Sequence, residues 1–188
     1  DGEPKPLPDP FIVLATQNPL EQAGTYPLPE AQLDRFLLHI RVDYPTEAEE
    51  RAILQQTTGA ASAEVPRVMH GESVRALQKL VREVHMSDDL LGWINQLVRA
   101  SRPHEKISKD IGNWVKWGAG PRAGQALVLA SKARALIQGR FAATKDDVQA
   151  LAAPVLRHRL LLTFVAEAEQ ISADDVVAAL LKTVPFPG

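Results

Sequence analysis

Cysteine is absent from all 188 residues, so this chain can hold neither a disulfide nor a thiolate-bound zinc. Basic residues are not in excess either: 21 Lys and Arg stand against 23 Asp and Glu, a formal net charge of -2. That leaves no concentrated positive footprint for nucleic acid. No basic stretch followed by an apolar one opens the sequence, and no apolar run approaches membrane-spanning length. These absences point to a cytoplasmic protein with no nucleic-acid partner and no membrane insertion of its own. His39, His70, His85, His104 and His158 include no pair at i, i+4 and no H-E-x-x-H, so no metal site is expected. There is also no G-x-x-x-x-G-K-[ST], no Gly-Lys pair, and no apolar run ending in Asp-Glu. The backbone loop that cradles phosphate, and the acidic pair that holds its magnesium, are therefore not in this chain.

Apolar residues are plentiful, at 45%, which is enough for a packed core. Their pattern divides the chain in two. In residues 1–45, Phe11-Ile12-Val13-Leu14-Ala15 reads as a strand covered on both faces, ended by Asn18-Pro19. A short helix is expected from Glu30 to Phe36, entered through Pro29, and Leu37 to Val42 alternates like a second strand. Two strands and a helix cannot cover a parallel sheet, so this part is expected to be a remnant of an α/β core. From residue 46 to 188 the pattern is helical, with about five or six helices. Thr46-Glu47-Ala48-Glu49 is a capping box, and Thr144 to Asp147 and Ser172 to Asp175 are its Asp-ended variants. Val74, Leu77, Val81 and Val84 form one apolar stripe, and Leu90, Ile94, Leu97 and Val98 another. A polar linker is expected from Gly59 to Pro66 and a loop from Pro103 to Gly112. The strongest helix runs from Pro121 to about Gln138, with Ala123, Ala126, Leu127, Ala130, Ala133 and Ile137 on one face and Gly139 as its stop. The fold class is thus mainly α: the tail of an α/β core followed by an all-helical domain.

Three polar residues stand where folding alone does not require them. Asn18 follows the end of an apolar strand, the edge at which open α/β sheets bind ligands; its commoner task is simply to close a turn. Arg35, in Leu33-Asp34-Arg35-Phe36, ends a short helix, where the dipole favours a cation by about 0.3–1 kcal/mol. It could equally present its guanidinium to a phosphoryl group across a subunit boundary. Arg122 lies in the first turn of the Pro121 helix, where the dipole opposes a cation and the free N–H groups favour an anion. An arginine added there strengthens a phosphate site, unless it points away from the helix axis. Asp88-Asp89 and Asp146-Asp147 sit in helix first turns for the same dipole reason, and Trp93, Trp114 and Trp117 are expected to serve the core or a docking surface.

The run from Phe11 to Pro19, then Glu21, then Gly24-Thr25-Tyr26-Pro27-Leu28-Pro29-Glu30-Ala31-Gln32-Leu33-Asp34-Arg35-Phe36, closely resembles the MoxR family of AAA+ ATPases. Further matches fall at Tyr44-Pro45, Glu49 to Leu54, Pro121-Arg122-Ala123 and Val155-Leu156-Arg157-His158-Arg159. The resemblance implies a P-loop NTPase core ending near residue 45 and a helical lid after it. It makes Asn18 the sensor 1 residue, Arg35 the arginine finger and Arg122 sensor 2. It further implies ATP and Mg2+ as cofactors of the intact protein, a hexameric ring, a chaperone or maturation role, and partners bearing a von Willebrand factor A domain. Gly120 stands where the family often has Ser, and Gly is a tolerated N-cap. The missing phosphate loop precedes, in the family, the point where this sequence begins, so the chain is expected to be a C-terminal fragment that neither binds ATP tightly nor hydrolyses it. Whether Arg122 serves its own subunit's nucleotide or a neighbour's stays open. Other readings are a relative of the magnesium chelatase or replicative helicase ATPases, which share Asn-Pro and Asp-Arg-Phe, and a free-standing helical interaction module.

Overall fold

The computed structural model describes residues 3–17, 28–59, 65–105 and 108–187. Its first part holds no sheet. Residues 11–17 carry no regular structure and no strand partner among the described residues, and Phe11, Ile12, Val13 and Leu14 are 57–93% exposed. The buried strand expected there is not formed among the described residues, because no neighbouring backbone takes up its N–H and C=O groups. The second expected strand fails for the same reason. Residues 38–45 are irregular, with a single backbone bond among the described residues, from His39 N to Pro154 O at 2.8 Å, and Ile40 and Val42 lie open to solvent. Between them, α1 (Glu30–Leu33) starts behind Pro29 as expected, and turns carry the chain to Leu37.

The remainder is a helical bundle. Helix α2 (Glu47–Thr57) starts on the expected box: the Glu49 carboxylate accepts from Thr46 N and Oγ1 at 2.8 and 2.7 Å. Helix α3 (Gly71–Glu83) delivers Val84 and Met86 into the core. Ser87 then caps α4 (Asp88–Ala100), which buries Leu90, Trp93, Ile94, Leu97 and Val98. In place of the expected loop, Pro103–Glu105 forms a 3-10 turn and Lys109–Trp114 forms α5, anchored by fully buried Ile111. A six-residue helix is too short to hold by propensity and owes its form to that packing.

Strand β1 (Val115–Trp117) pairs antiparallel with β2 (Leu161–Leu162), a two-stranded ribbon that the apolar pattern does not reveal. Helix α6 (Pro121–Ile137) runs through the centre, against α3, α4 and α7 (Lys145–Leu156). Its buried face is Ala123, Ala126, Leu127, Ala130, Ser131 and Ala135, mostly small residues that let neighbouring helices approach closely. Ile137, expected on that face, is the last residue of α6 and is 86% exposed. Gly139, at φ 73°, stops the helix as expected, and Arg140 N bonds back to Ala135 O at 2.8 Å. A 3-10 turn, Arg157–Arg159, follows α7 directly, then come β2, α8 (Phe164–Ala168) and α9 (Ala173–Thr183), the last begun on the Ser172–Asp175 box. The chain end folds back on α4. Trp93 Nε1 donates to Val184 O at 2.7 Å, and its ring meets Phe186 edge-on at 5.4 Å. Of the other indoles, Trp114 is partly buried and donates to Glu169 Oε2 at 2.8 Å, and Trp117 is 71% exposed.

The N-terminal part touches this bundle in two ways. Asp9 meets Arg75 of α3 in one exposed ion pair, at 3.2 Å. The denser contact is made by residues 34–41, against the 3-10 turn after α7 and the start of α9. The mainly helical architecture expected from the sequence is the one observed, while the pieces of α/β core appear without the ladder that would make them a sheet.

Candidate functional site at the junction of α1, α6 and the Arg157–Arg159 turn

Arg159 organises the junction. Its side chain is only 3% exposed, and Nε donates to Asp34 Oδ1 at 2.9 Å. Nη2 donates to the carbonyls of Asp34 and Phe36, at 3.0 and 2.6 Å, and Nη1 to those of Leu37 and Val155. Burial pulls the Arg159 guanidinium down from its ordinary value, and Asp34 opposes that shift. A planar fork of five N–H donors suits a site with four carbonyls and one carboxylate, where an ammonium could reach only some of them.

The other Asp34 oxygen, Oδ2, faces Arg122 Nη1 at 3.4 Å. Asp34 thus lies between two arginines of unequal freedom: Arg159 is sealed in, whereas the Arg122 side chain is 56% exposed. The adjacent carboxylate, Asp174 on α9, repeats the arrangement. Arg157 Nε donates to its Oδ1 at 2.9 Å and Arg41 Nη1 to its Oδ2 at 3.2 Å, with Arg157 14% and Arg41 61% exposed. Arg157 also donates to His39 O at 3.0 Å. Two acidic residues and two largely covered arginines therefore tie residues 34–41 to the helical bundle.

His158 sits between these pairs. Its ring meets His39 edge-on at 5.8 Å, and Nε2 lies 3.2 Å from Phe36 O. Burial, followed by the neighbouring Arg159 charge, lowers its pKa to about 4, so the ring is neutral near pH 7. Because its partner is a carbonyl, Nε2 carries the proton and donates it. Nδ1 is then a buried lone pair, and it has no partner among the described residues.

The residues singled out from the sequence fall as follows. Asn18 lies outside the described residues. Arg35 follows Asp34 directly, is exposed, and makes no ion pair or side-chain hydrogen bond with another described residue. Arg122 occupies the second position of α6, behind Gly120 and Pro121, and pairs with Asp34 rather than standing alone. The fold therefore brings Arg122 to the residue next to Arg35, 88 positions away from Asp34 along the chain. Asp34, His158 and Arg159 carry no individual signal in the sequence. The run Arg157-His158-Arg159 is visible there, but a buried arginine declares itself only through its partners, and Asp34 is 125 residues distant.

A second such centre is equally hidden from the sequence. Asp147, expected as a capping-box and dipole-favoured residue, does close the box with Thr144, but it is also fully buried and accepts from both Arg134 and Arg140. Burial alone would raise its pKa, but hydrogen bonds from Arg140, Thr144 and Arg134 hold it well below the usual carboxylate range. Among the described residues no group of three acidic, His or Cys side chains is placed to hold a metal ion. No helix among them is long and apolar enough to cross a membrane.

Chemically, an exposed guanidinium in the first turn of a helix, such as that of Arg122, can meet an anion from solvent. Residues 110–180 match the AAA lid domain, and residues 1–38 match the ATPase family associated with various cellular activities. The class is thus that of the AAA ATPases, with a lid domain matched in the second half of the chain. Along nearly its whole length, 99%, the chain is 38% identical to Chaperone MoxR1 of Mycobacterium tuberculosis, covering 49% of that protein. It is 31% identical to Protein MoxR of Paracoccus denitrificans, covering 56% of it. A solved structure from Cytophaga hutchinsonii, provisionally described as an ATPase, superposes with a TM-score of 0.91 at 33% identity over 98% of this chain and 56% of that one. The chain belongs to the MoxR-type AAA ATPases. It spans about half the length of the curated relatives it matches.

Proposed function

We propose that this chain is the sensing and coupling half of a ring-forming ATPase, in which Arg122 and Arg35 read the terminal phosphate of ATP and transmit its state to the lid. The observation that carries this reading is the convergence of Arg122, Asp34 and Arg35. An exposed cation at a helix N-terminus has little structural value, yet here it meets Asp34, the residue before the one that would serve as the arginine finger. ATP would supply a transferable phosphoryl group and magnesium would neutralise part of its charge. The protein's own contribution is positioning. Asn18 orients a water, Arg122 approaches the phosphate from the lid, and Arg35 reaches into a neighbouring subunit's site. These 188 residues contain no phosphate-loop motif, so on this reading the chain alone is inactive. The intact protein would work in the cytoplasm as a ring, hexameric by family likeness, remodelling or maturing partner proteins. The relative called Chaperone MoxR1 supports the chaperone role, and partners with a von Willebrand factor A domain are the class to test first.

Substituting Arg122→Ala in the intact protein separates this reading from a structural one. Losing one charged hydrogen bond to phosphate should slow hydrolysis about 10–100-fold. Its ion pair with Asp34 is long and exposed, and such pairs contribute little to stability, so the melting temperature without nucleotide should scarcely move. Unfolding in parallel with loss of activity would assign Arg122 to the structure instead.

A further inference from the structure

We propose that Asp34 is a positioning residue for Arg122, fixing the guanidinium where it meets the phosphate; this rests on the reading of Arg122 given above. The two arginines on Asp34 are held unequally. Arg159 Nε holds Oδ1 at 2.9 Å from a side chain only 3% exposed, and Arg159 is itself held by the carbonyls of Asp34, Phe36, Leu37 and Val155. The carboxylate therefore cannot turn, and Oδ2 is left as a fixed negative point at the surface. Arg122 reaches that point from α6 at 3.4 Å with most of its length in solvent. A long, exposed side chain with many rotamers is thereby given one preferred direction, through a contact weak enough to be released when a phosphate oxygen competes for it.

The carboxylate of Asp147 shows what a purely structural version looks like. It is fully buried, Arg140 grips both of its oxygens at 2.6 and 2.8 Å, and both of its arginines lie about one-third exposed. Neither can leave without stranding a buried charge. Asp174 repeats the graded pattern of Asp34, but its outer partner, Arg41, lies in the irregular stretch after α1 and not at a helix N-terminus. Among these three carboxylates, only Asp34 aims an exposed arginine from the first turn of a helix that favours anions, and its neighbour in sequence is Arg35.

The test is a double-substitution cycle in the intact ring protein: Asp34→Asn, Arg122→Ala and both together, each measured for kcat, for KM for ATP, and for melting temperature without nucleotide. The introduced amide keeps an oxygen for Arg159 Nε but loses the charge that directs Arg122. The expected result is a kcat lowered about 3–10-fold by Asp34→Asn with KM nearly unchanged, and no additional loss when Arg122 is already Ala. If Asp34→Asn lowers kcat by the same factor in both backgrounds, or not at all in the wild type, the positioning role is wrong even where Arg122 still binds phosphate. If Arg122→Ala leaves kcat and KM untouched, it is the reading of Arg122 that fails. Should Asp34→Asn not assemble into rings, Asp34→Glu enters the same cycle. It keeps the charge opposite Arg159 and displaces the oxygen facing Arg122, so the same dependence on Arg122 is expected, and its absence overturns the proposal.

Discussion

Arg159 and His158 show how much of the junction depends on single side chains. Arg159 satisfies four backbone carbonyls and one carboxylate that would otherwise be stranded at a partly dry boundary. Next to it, the neutral state of His158 makes the fold sensitive to acid. In the folded protein the ring resists protonation until about pH 4, whereas in the unfolded chain it protonates near 6.5. The unfolded state therefore binds the extra proton first, and stability falls as pH drops through that window, by about 1–2 kcal/mol after allowing for partial exposure. Below pH 4 both states are protonated and this contribution levels off. Thermal melts between about pH 7.5 and 4.5 should show a shallower decline for His158→Gln, which keeps an N–H for Phe36 O but cannot titrate. Equal slopes for both proteins would mean that His158 is not held neutral.

At the scale of the elements, the route into α6 is set by one glycine. A Cβ on Gly118 would lie 2.5 Å from Ser101 O and 2.8 Å from the Arg102 Cα, distances that only a shift of backbone could relieve. That backbone is pinned: Ser101 Oγ accepts from Ala119 N at 2.9 Å and donates to Val98 O at 2.7 Å, and Arg102 Nε donates to Ala119 O at 3.2 Å. Gly118→Ala should therefore destabilise the protein by about 1–3 kcal/mol, the usual range for overpacking, and displace the first turn that carries Arg122. A chemical denaturation midpoint equal to that of the wild type would contradict this. The same turn shows what the sequence makes legible. Gly120-Pro121, Thr46 with Glu49, Ser172 with Asp175 and Gly139 announce helix ends because capping is local chemistry, settled within about four residues. The ribbon of β1 and β2 joins stretches far apart in the chain, and α5 is fixed by the burial of Ile111, so neither leaves a local trace. Phe11 to Ala15 is the converse case. Its composition suits a covered strand, but a strand is a relation between two chains of hydrogen bonds, and no partner lies among the described residues. Arg35 and Arg122 are legible individually, through motif and dipole, while their meeting at Asp34 belongs to the tertiary fold.

At the scale of the molecule, residues 110–180 match the AAA lid domain and residues 1–38 the ATPase-family model. We propose that residues 46–187 fold without the first forty-five. The core of Leu90, Trp93, Leu97, Leu127, Val155 and Leu180 lies wholly within them. The expected result is a cooperative thermal transition at a lower temperature than the full chain, since Arg157 and Arg159 lose Asp34 and the carbonyls of residues 34–39; a non-cooperative melt would refute the boundary. On the proposed function, the first forty-five residues hold Arg35 in register with the helical bundle through Asp34 and Arg159. The larger claim is that Arg35 acts on a neighbouring subunit, and a subunit-mixing experiment tests it most directly. Arg35→Ala in the intact protein is combined with a second variant lacking the lysine of the phosphate loop, after energy transfer between labelled subunits has shown that they exchange. Each variant should be inactive alone, since a finger contributes about 10³–10⁵ in turnover and the lysine is required for the nucleotide. Mixed rings contain interfaces at which an intact finger faces an intact site, so hydrolysis should reappear on mixing and peak at intermediate ratios. Full turnover by Arg35→Ala alone, or no recovery at any ratio once exchange is shown, would contradict the account.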